Sequence, residues 1–336
     1  MGKRNLTKQQ QARIQQQQNR RRKQAQAPVT DKAATTEGDV PKQAGTVIAN
    51  FGATLIVENE RKQAFRCTLR QNIPPLVSGD HIVWQQVDDE TGVVVALHER
   101  SSFLARPDRR GHAKVIAANI DQIMIVSACK PALNTRLIDR YLVAAETAHI
   151  TPSIIFNKID LLDRADLQEI EQQLQAYQDL GYTVLYTSTK QDHGMDALQS
   201  CLLDKTSVFV GQSGVGKSSL INALLPEAMA HVAEVSQSTQ KGRHTTTMAR
   251  LYHLPSGGQI IDSPGIREFG LWQVSQQQLA EGFREFRPFL GQCRFRDCLH
   301  EDEPGCLIRE NTATGKITEQ RWQSYRRILE SLREMK

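Results

Sequence analysis

The sequence predicts an α/β fold: a doubly wound sheet with a small β-barrel before it and a helical, cysteine-containing region after it. Three observations lead to this prediction. From residue 119 onwards, apolar strands alternate with helical segments, which is typical of a parallel sheet covered on both faces. Five short β-rich runs precede this region, and a cluster of cysteine and histidine follows it. We therefore expect four segments, at 1–40, 41–105, 106–272 and 273–336.

The composition is that of a multidomain globular protein. The chain has 336 residues, of which 39% are hydrophobic, and a formal net charge of +5. This length exceeds the usual size of one domain. No uncharged apolar run reaches membrane-spanning length, and the polar N-terminus lacks the apolar core of a secretory signal. We expect a cytoplasmic protein that acts as a monomer and contacts no membrane.

Residues 1–40 form a basic, glutamine-rich segment. The first 30 residues contain eight lysines and arginines and no acidic residue. Such a segment has too few large apolar side chains to fold alone, so we predict a disordered tail. Its charge favours contact with nucleic acid, although a tail that only improves solubility would have the same composition.

The next segment is predicted to be a barrel of five short strands. The β-rich runs are separated by glycine- and proline-containing turns, and they lie at 46–49, 53–57, 65–69, 81–84 and 93–97. Five strands in so short a segment indicate a small barrel. An OB-like barrel would suit RNA binding, but the strand count also fits an SH3-like barrel or one used only for packing. The stretch 100–114, which contains Arg106-Pro107 and Asp108-Arg109-Arg110-Gly111, is predicted to be a linker.

A glycine-rich loop lies between an apolar strand at 207–210 and a helical segment that begins near Leu220. Its pattern, G-x-x-x-x-G-K-S, is typical of a phosphate-binding loop, since glycines let backbone N–H groups approach phosphate oxygens closely. Lys217 would reach the β- and γ-phosphates and is a catalytic candidate, and the Ser218 hydroxyl would bind Mg²⁺. The alternative is a turn that binds nothing. The candidate nucleotide-binding residues are Gly211, Gln212, Ser213, Gly214, Val215, Gly216, Lys217, Ser218 and Ser219.

A second motif, Asn157-Lys158-Ile159-Asp160, follows the apolar strand 153–156. A carboxylate at Asp160 would accept hydrogen bonds from N1 and N2 of guanine, whereas adenine has no matching pair of donors, so the site would select GTP. Asn157 would tie this loop to its neighbours and Lys158 would lie along the base. The alternative is an ordinary turn. The next strand along the chain is followed by Ser188 and Lys190. These two residues fit the loop that closes over the base in nucleotide sites of this kind.

The motif Asp262-Ser263-Pro264-Gly265 follows a third apolar strand, downstream of the glycine-rich loop. Asp262 would hold the Mg²⁺ shell through water, and the Gly265 N–H would sense the γ-phosphate. The alternative is again an ordinary turn without a binding role. The polar segment between these two motifs contains three threonines, one of which would supply a second Mg²⁺ hydroxyl, and we take Thr246 as the candidate.

The order of the motifs identifies a particular class. In an ordinary small GTPase the glycine-rich loop comes first, whereas here the guanine-selecting motifs precede it. A circular permutation would leave the site intact. The barrel, the permuted motifs, the segment 242–247 and the C-terminal cysteines resemble the ribosome small-subunit-dependent GTPase family (RsgA/YjeQ) over residues 44–336.

This resemblance implies a circularly permuted P-loop GTPase domain flanked by an OB-like barrel and a helical zinc-binding domain. It implies hydrolysis of GTP to GDP and phosphate, stimulated by the small ribosomal subunit, in late maturation of that subunit through rRNA binding. Ile266 stands where ordinary GTPases place a glutamine that orients water, so unaided hydrolysis should be slow. We hypothesise that His244 orients the water, the alternative being an exposed loop histidine.

Two other functions would fit parts of the pattern. A signalling or translocation GTPase would share the nucleotide motifs but not the tail, barrel and cysteine cluster. A non-enzymatic RNA-binding module would not need Lys217, Ser218, Asp160 and Asp262 all intact. Because the barrel and the C-terminal region adjoin the motifs in the chain, we also hypothesise that nucleotide-driven movements tilt the flanking domains.

The C-terminal cluster has the composition of a structural metal site. Three thiols and one imidazole, from Cys293, Cys298, His300 and Cys306, make a closed tetrahedral set of the kind that holds structural zinc. A free-thiol loop and a disulfide are the alternatives, and a disulfide is disfavoured in the cytoplasm. We predict one zinc ion here, in addition to Mg²⁺ bound with GTP.

Overall fold

The structure is a computed structural model that describes residues 41–71, 73–108, 111–191, 193–225, 249–263 and 274–334. The predicted tail at 1–40 lies outside these residues. The first part is a closed barrel of five strands, in agreement with the predicted runs. The strands are Lys42–Asn50 (β1), Leu55–Glu58 (β2), Ala64–Leu69 (β3), His81–Gln86 (β4) and Thr91–Leu97 (β5).

The barrel has the strand order of an OB fold. Its order is β1-β2-β3-β5-β4, and pairing of β1 with β4 closes it. The β3–β5 pair is parallel and the others are antiparallel. Trp84 fills the centre, and a Cβ added at Gly45 or Gly92 would lie 2.8 or 2.6 Å from its ring. The connectivity, which sequence periodicity does not specify, selects the OB-like alternative over the SH3-like one.

The predicted linker at 100–114 is instead part of a β-hairpin. Strands Phe103–Pro107 (β6) and Ala113–Ala118 (β7) pair in antiparallel fashion. Leu104 and Ile116 of this hairpin are buried in the α/β core. The Asp108 N–H donates to the His112 carbonyl at 2.8 Å, so the turn-forming residues mark the tip of a hairpin. The linker prediction was wrong because such residues have the same composition in both settings.

Within the residues that the structure describes, the α/β part contains six strands and four helices. The strands are Gln122–Ala128 (β8), Thr151–Asn157 (β9), Thr183–Thr187 (β10), Thr206–Val210 (β11), Arg250–His253 (β12) and Gln259–Asp262 (β13). The helices are Thr135–Thr147 (α1), Arg164–Asp179 (α2), Met195–Leu202 (α3) and Lys217–Leu224 (α4), with a 3-10 turn at Ile159–Leu161. The strand order is β10-β9-β8-β11-β13-β12, and only β12 is antiparallel to its neighbour.

The sheet is covered on both faces, as predicted. Along β8, Ile123 and Ile125 belong to one core with α1 and α2, whereas Met124 and Val126 belong to a second core with α3 and α4. Successive residues of a strand point to opposite faces. The uninterrupted apolar character of the strand is therefore explained by burial on both sides.

The C-terminal region is helical and packs against α1. Its elements are Gln276–Glu281 (α5), a 3-10 segment Arg284–Phe289, Leu307–Ala313 (α6) and Glu319–Glu334 (α7). Arg321 of α7 is only 3% exposed and forms ion pairs with Asp139 of α1 and Glu285. The Tyr177 hydroxyl also donates to Asp139, at 2.7 Å. These buried charges join α7 to the α1 face of the sheet.

The barrel and the α/β sheet are hydrogen-bonded to each other. Ala49 of β1 pairs with Arg250 of β12, so both parts belong to one continuous sheet of eleven strands. Among the residues that the structure describes, no helix combines the length and the apolar character needed to cross a bilayer.

Candidate nucleotide-binding and metal sites

The predicted nucleotide motifs meet at one edge of the sheet. Asn157 ends β9, Thr187 ends β10, Val210 ends β11 and Asp262 ends β13. Strands β9, β10, β11 and β13 run parallel with β8 between them, so their carboxyl ends lie side by side. In open α/β sheets this is the edge at which ligands bind.

The glycine-rich loop begins with a residue that must be glycine. Gly211 has φ of +138°, and a Cβ there would lie 2.1 Å from the Val126 carbonyl oxygen. Lys217 is buried at the start of α4, and its ammonium donates to the Gly211 and Gln212 carbonyls at 2.7 and 2.6 Å. Residues 212–214, Ser218 and Ser219 are exposed. The loop thus presents its backbone and the positive end of a helix to solvent, an arrangement suited to anions.

Asn157 connects the guanine-selecting motif to the glycine-rich loop. Its side-chain amide donates to the Val215 carbonyl at 3.0 Å and accepts from the Thr187 hydroxyl at 3.1 Å. A Cβ at Gly216 would lie 2.3 Å from the Asn157 amide nitrogen, which explains the glycine. The tie predicted for Asn157 is therefore present. Thr187 was not predicted; its only signal in the sequence is that it directly precedes Ser188.

Lys158 also reaches the glycine-rich loop. Its backbone is left-handed, with φ of 66°, and its ammonium donates to the Gly214 and Lys130 carbonyls, the latter at 2.8 Å. The Cys129 thiol is 3.4 Å from the Lys158 carbonyl oxygen, a contact that the sequence did not reveal. The side chain of Lys158 thus lies across the loop.

Asp160 and Ser188 are in direct contact. The Ser188 hydroxyl donates to one Asp160 carboxylate oxygen at 2.6 Å, and the Lys190 N–H donates to that hydroxyl at 3.2 Å. Ser188 is buried, while Asp160 is only partly buried. An ionised carboxylate has about four acceptor sites, so one hydrogen bond orients Asp160 and leaves acceptor capacity for a ligand.

Asp262 lies beside the strand that leads into the glycine-rich loop. β13 pairs with β11 through residues 206–208, and Asp262 is half-buried at the end of β13. Three predicted site residues, His244, Thr246 and Gly265, lie outside the described residues. The described motifs thus bring carboxylate, ammonium, hydroxyl and backbone groups to the carboxyl-end edge of one sheet.

The C-terminal cluster brings its four predicted ligands together. The ligand atoms of Cys293, Cys298, His300 and Cys306 all lie within 4.8 Å of one another. His300 Nδ1 is 3.6 Å from the Cys293 sulfur and 3.5 Å from the Cys306 sulfur. A tetrahedral zinc with ordinary Zn–S and Zn–N bonds places sulfur and nitrogen about 3.6 Å apart. The four residues thus fit a zinc ion in both ligand type and spacing.

The backbone of this cluster is fixed by α7 and by one glutamate. The indole N–H of Trp322 donates to the His300 carbonyl and the Tyr325 hydroxyl donates to the Leu299 carbonyl, both at 2.9 Å. The Glu303 carboxylate accepts the N–H groups of Leu299 and Glu301 at 2.7 and 2.9 Å. These bonds hold the ligands in place through their neighbours.

Burial affects the protonation of the cluster. It raises the pKa of Cys298 to about 12 and lowers the pKa of His300. A low pKa keeps the imidazole neutral, which is the form that binds metal. The Cys298 thiol therefore stays protonated at neutral pH unless a metal cation binds it, since the thiolate is the form that ligates metal.

The sheet order, the phosphate loop and the position of the guanine-selecting motif ahead of it define a circularly permuted GTPase. Comparisons with known proteins agree. A family model described as RsgA GTPase matches residues 97–272. A protein from Chromohalobacter salexigens named small ribosomal subunit biogenesis GTPase RsgA is 50% identical to this chain, covering 99% of each. The chain belongs to the RsgA GTPase family and is a GTP hydrolase.

Other relatives lead to the same family. The protein of the same name from Haemophilus influenzae is 47% identical over 100% of this chain and 98% of its own length. Among solved structures, YjeQ from Thermotoga maritima superposes with a TM-score of 0.72 at 30% identity, covering 87% of this chain and 99% of YjeQ. YloQ, described as a circularly permuted GTPase, superposes with a TM-score of 0.70 at 30% identity, covering 90% and 99%.

Proposed function

We propose that this GTPase acts in late maturation of the small ribosomal subunit, binding its rRNA and hydrolysing GTP to GDP and phosphate when the subunit stimulates it. The observation that carries the proposal is the convergence of the guanine and phosphate motifs at one sheet edge, on a sheet continuous with an OB-like barrel. The names of the relatives from Chromohalobacter salexigens and Haemophilus influenzae support the assignment to the small subunit.

The base-binding half of the site consists of the motifs before the glycine-rich loop. Asp160, oriented by Ser188, accepts the N1 and N2 hydrogens of guanine, and Lys158 lies along the base. Asn157 keeps this loop in register with the phosphate loop. The Lys190 segment closes over the base. Selection of guanine follows because adenine would leave the Asp160 carboxylate without its donors.

The phosphate half uses the loop and the residues after it. Backbone N–H groups of residues 211–219 surround the phosphates, and Lys217 places its ammonium on the β- and γ-oxygens. Bound Mg²⁺ would neutralise charge on those oxygens. Ser218 and Thr246 would bind this ion through their hydroxyls, and Asp262 would bind it through water. The Gly265 N–H would contact the γ-phosphate.

Water activation is the part of the reaction for which the site is poorly equipped on its own. Ile266 has no group that can orient water or move a proton. We propose that His244 takes this role when a partner fixes the segment around it, so that hydrolysis is slow without the partner. Replacing His244 by alanine should leave GTP binding intact and remove most of the stimulated turnover.

The C-terminal cluster holds a structural zinc ion in this proposal. Four protein ligands leave no open position, which distinguishes a structural site from a catalytic one. The same loop exposes Phe295, with 43% of its surface accessible and the Arg294 guanidinium 5.6 Å from its ring centre. Phe51, directly after β1 of the barrel, and Phe103, at the start of β6, are 53% and 50% exposed. Aromatic and arginine groups of this kind stack on unpaired RNA bases.

The experiment that tests the function is GTP hydrolysis with and without purified small ribosomal subunits. We expect a low rate alone and a rate raised by orders of magnitude with subunits. Lys217→Ala should abolish both rates. Large subunits serve as the matched control for nonspecific RNA. Equal stimulation by both subunits, or by neither, would refute the assignment to the small subunit, and absence of any GTP turnover would favour a non-enzymatic RNA-binding module.

A further inference from the structure

The barrel strand β1 pairs with β12, and β12 pairs with β13, the strand that ends at Asp262. β1 closes the barrel by pairing with β4 through residues 42–46, and after a bulge between Val47 and Ala49 it pairs with β12. Ala49 lies opposite Arg250, and Arg250 lies opposite Asp262 on β13. One row of residues therefore crosses three strands, from the barrel to the carboxylate proposed to hold the Mg²⁺ shell.

Ser78 fastens this joint from the barrel side. It is 1% exposed, and its hydroxyl is 2.8 Å from the Ala249 carbonyl oxygen and 3.3 Å from that of Ile48. The same hydroxyl thus contacts β1 and the residue that precedes Arg250. A hydroxyl has a single proton to donate, and the shorter distance places it on Ala249.

The loop that carries Ser78 packs closely against the end of β7. The Asn119 amide donates to the Gly79 carbonyl at 2.7 Å, and the Ala118 N–H donates to the Ser78 carbonyl at 3.1 Å. Gly79 has φ of +91°, and a Cβ there would lie 2.1 Å from the Ala118 carbonyl oxygen. Ser78 is therefore held through its backbone by the end of β7 and through its hydroxyl by the residue that precedes β12.

The other end of β12 is held as well. His253 Nε2 is 2.7 and 2.9 Å from the two carboxylate oxygens of Glu58 on β2. The barrel consequently holds β12 at Ala249 and at His253, while β13 pairs with it along its whole length. A movement of the barrel relative to the sheet would have to move β12, because ladder hydrogen bonds and both end contacts fix its position.

We propose that Ser78 is a positioning residue through which contact at the barrel changes the magnesium end of the nucleotide site. The inference rests on the proposed function, in which the barrel binds rRNA. RNA that displaces β1 displaces Arg250 and Asp262 in the same row, and Ser78 makes that displacement common to the barrel and to β12. Coupling of this kind is reciprocal for binding, so nucleotide at the site must also alter the barrel.

The reciprocal effect can be measured on the full-length protein without a ribosome. Hydrogen exchange is compared with Mg²⁺–GDP and with a non-hydrolysable Mg²⁺–GTP analogue, at residues 46–50 and 76–80 of the barrel. We expect the two nucleotides to give different exchange rates there, and Ser78→Ala to confine the difference to the α/β sheet. Identical barrel exchange in the unmodified protein would overturn the proposal.

Subunit-stimulated hydrolysis is the second readout. Ser78→Ala should lower the stimulated kcat about fivefold, the lower end of typical allosteric couplings, with basal turnover, KM for GTP and subunit affinity unchanged. Glu58→Gln, which weakens the other contact, should act in the same direction. The matched control is Thr91→Ala, which removes a hydroxyl that bonds Asp88 at 2.7 Å in the β4–β5 hairpin, and it should retain full stimulation.

The two experiments separate the relay from the function on which it rests. If small subunits fail to stimulate the unmodified protein, the proposed function fails, and hydrogen exchange alone decides whether Ser78 couples the two parts. If stimulation is normal in the unmodified protein and in Ser78→Ala alike, the function stands and the relay is wrong.

Discussion

At the scale of single residues, the proposed guanine end of the site is held by hydrogen bonds between residues of different loops. Ser188 orients Asp160, and Thr187 orients Asn157, which in turn reaches Val215 in the glycine-rich loop. Such preorganisation lowers the cost of ordering these groups when the nucleotide binds. These bonds set the proposed base and phosphate halves of the site relative to each other.

Asp160→Asn tests base selection. An amide offers a donor where guanine also offers donors, so two charge-assisted hydrogen bonds are lost, each contributing about 1.5–3 kcal/mol. We expect GTP affinity to fall at least about 100-fold, and xanthosine triphosphate, which has an oxygen in place of the N2 amine, to bind better than GTP. Competition against a fluorescent nucleotide measures both.

The same substitution at Asp166, an exposed residue in the first turn of α2, is the control for that experiment. It should leave nucleotide preference unchanged. An Asp160→Asn protein that still prefers GTP would show that Asp160 does not read the base.

Thr187→Val tests the residue that the sequence did not reveal. Valine keeps the shape but leaves the Asn157 carbonyl oxygen without its donor, a cost of about 1–3 kcal/mol for a buried group. GTP and GDP affinities should both fall about tenfold, because the base is common to both, with kcat unchanged. Isothermal titration and steady-state kinetics measure these values. Thr187→Ser should restore affinity, and a change in kcat alone would contradict the assignment.

At the scale of elements, the sequence predicted strands and helices well where their periodicity is local. The strand at 153–156 and the helix at 217–224 follow from apolar runs and from the position of the glycines. The β6–β7 hairpin was missed because Pro107, Asp108 and Gly111 are as common in linkers as in hairpin tips. What distinguishes the two is the burial of Leu104 and Ile116, which depends on contacts with distant elements.

In the cysteine loop, the metal ligands could be predicted from the sequence, whereas the hydrogen bonds that fix the loop backbone could not. The number and type of the side chains, three thiols and one imidazole from Cys293, Cys298, Cys306 and His300, indicated the ligand set. The bonds from Trp322 and Tyr325 to the loop backbone could not be read from the sequence, because the stripe of apolar residues on α7 is equally consistent with plain core packing. The structure shows that the two side chains use their polar ends to hold the loop.

Cys306→Ser tests the metal assignment at this scale. Loss of one of four ligands should reduce bound zinc from about one ion per chain to near zero after dialysis, because structural zinc binding depends on the complete set. The variant should also be cleaved faster by protease within 293–306. Elemental analysis and limited proteolysis measure the two effects. Cys129→Ser is the matched control and should keep its zinc, and full zinc content in Cys306→Ser would contradict the site.

The reactivity of the Cys67 thiol measures how readily the barrel opens. Cys67 is fully buried in the barrel core, and burial raises its pKa to about 12. A raised pKa keeps the thiol protonated at neutral pH, so both access and ionisation oppose reaction with a maleimide. We expect no labelling of Cys67 at pH 7 in the folded protein and rapid labelling in urea. Mass spectrometry of the labelled peptides checks this, and fast labelling without urea would mean that the barrel opens readily.

At the scale of the whole molecule, a buried ion cluster fixes the C-terminal region to the sheet. Arg321 lies 182 residues from Asp139 and 36 residues from Glu285 in the chain. Its guanidinium is also 4.5 Å from the Phe283 ring centre. Pairings over such separations have no signature in one sequence, which is why this cluster and the Ser78 joint were not predicted while the nucleotide motifs, whose residues are contiguous, were.

Arg321→Met measures the contribution of the cluster to stability. Removal of the cation leaves two buried carboxylates unpaired, which should lower the free energy of unfolding by about 3–5 kcal/mol. Adding Asp139→Asn and Glu285→Gln removes those charges and should recover most of the loss. Urea denaturation followed by tryptophan fluorescence provides the measurement. A loss below about 1 kcal/mol would place the cluster among weak surface pairs.

The joint between β1 and β12 also has a consequence for synthesis. Arg250 leaves the ribosome about 200 residues after Ala49, which takes about 10–40 s at usual elongation rates. During that time the end of β1 beyond its pairing with β4 is an uncovered strand edge of the kind that recruits other chains. The strand that covers it also precedes Asp262. We therefore expect a nascent molecule to cover this edge in the same late step that adds Asp262 to the proposed nucleotide site.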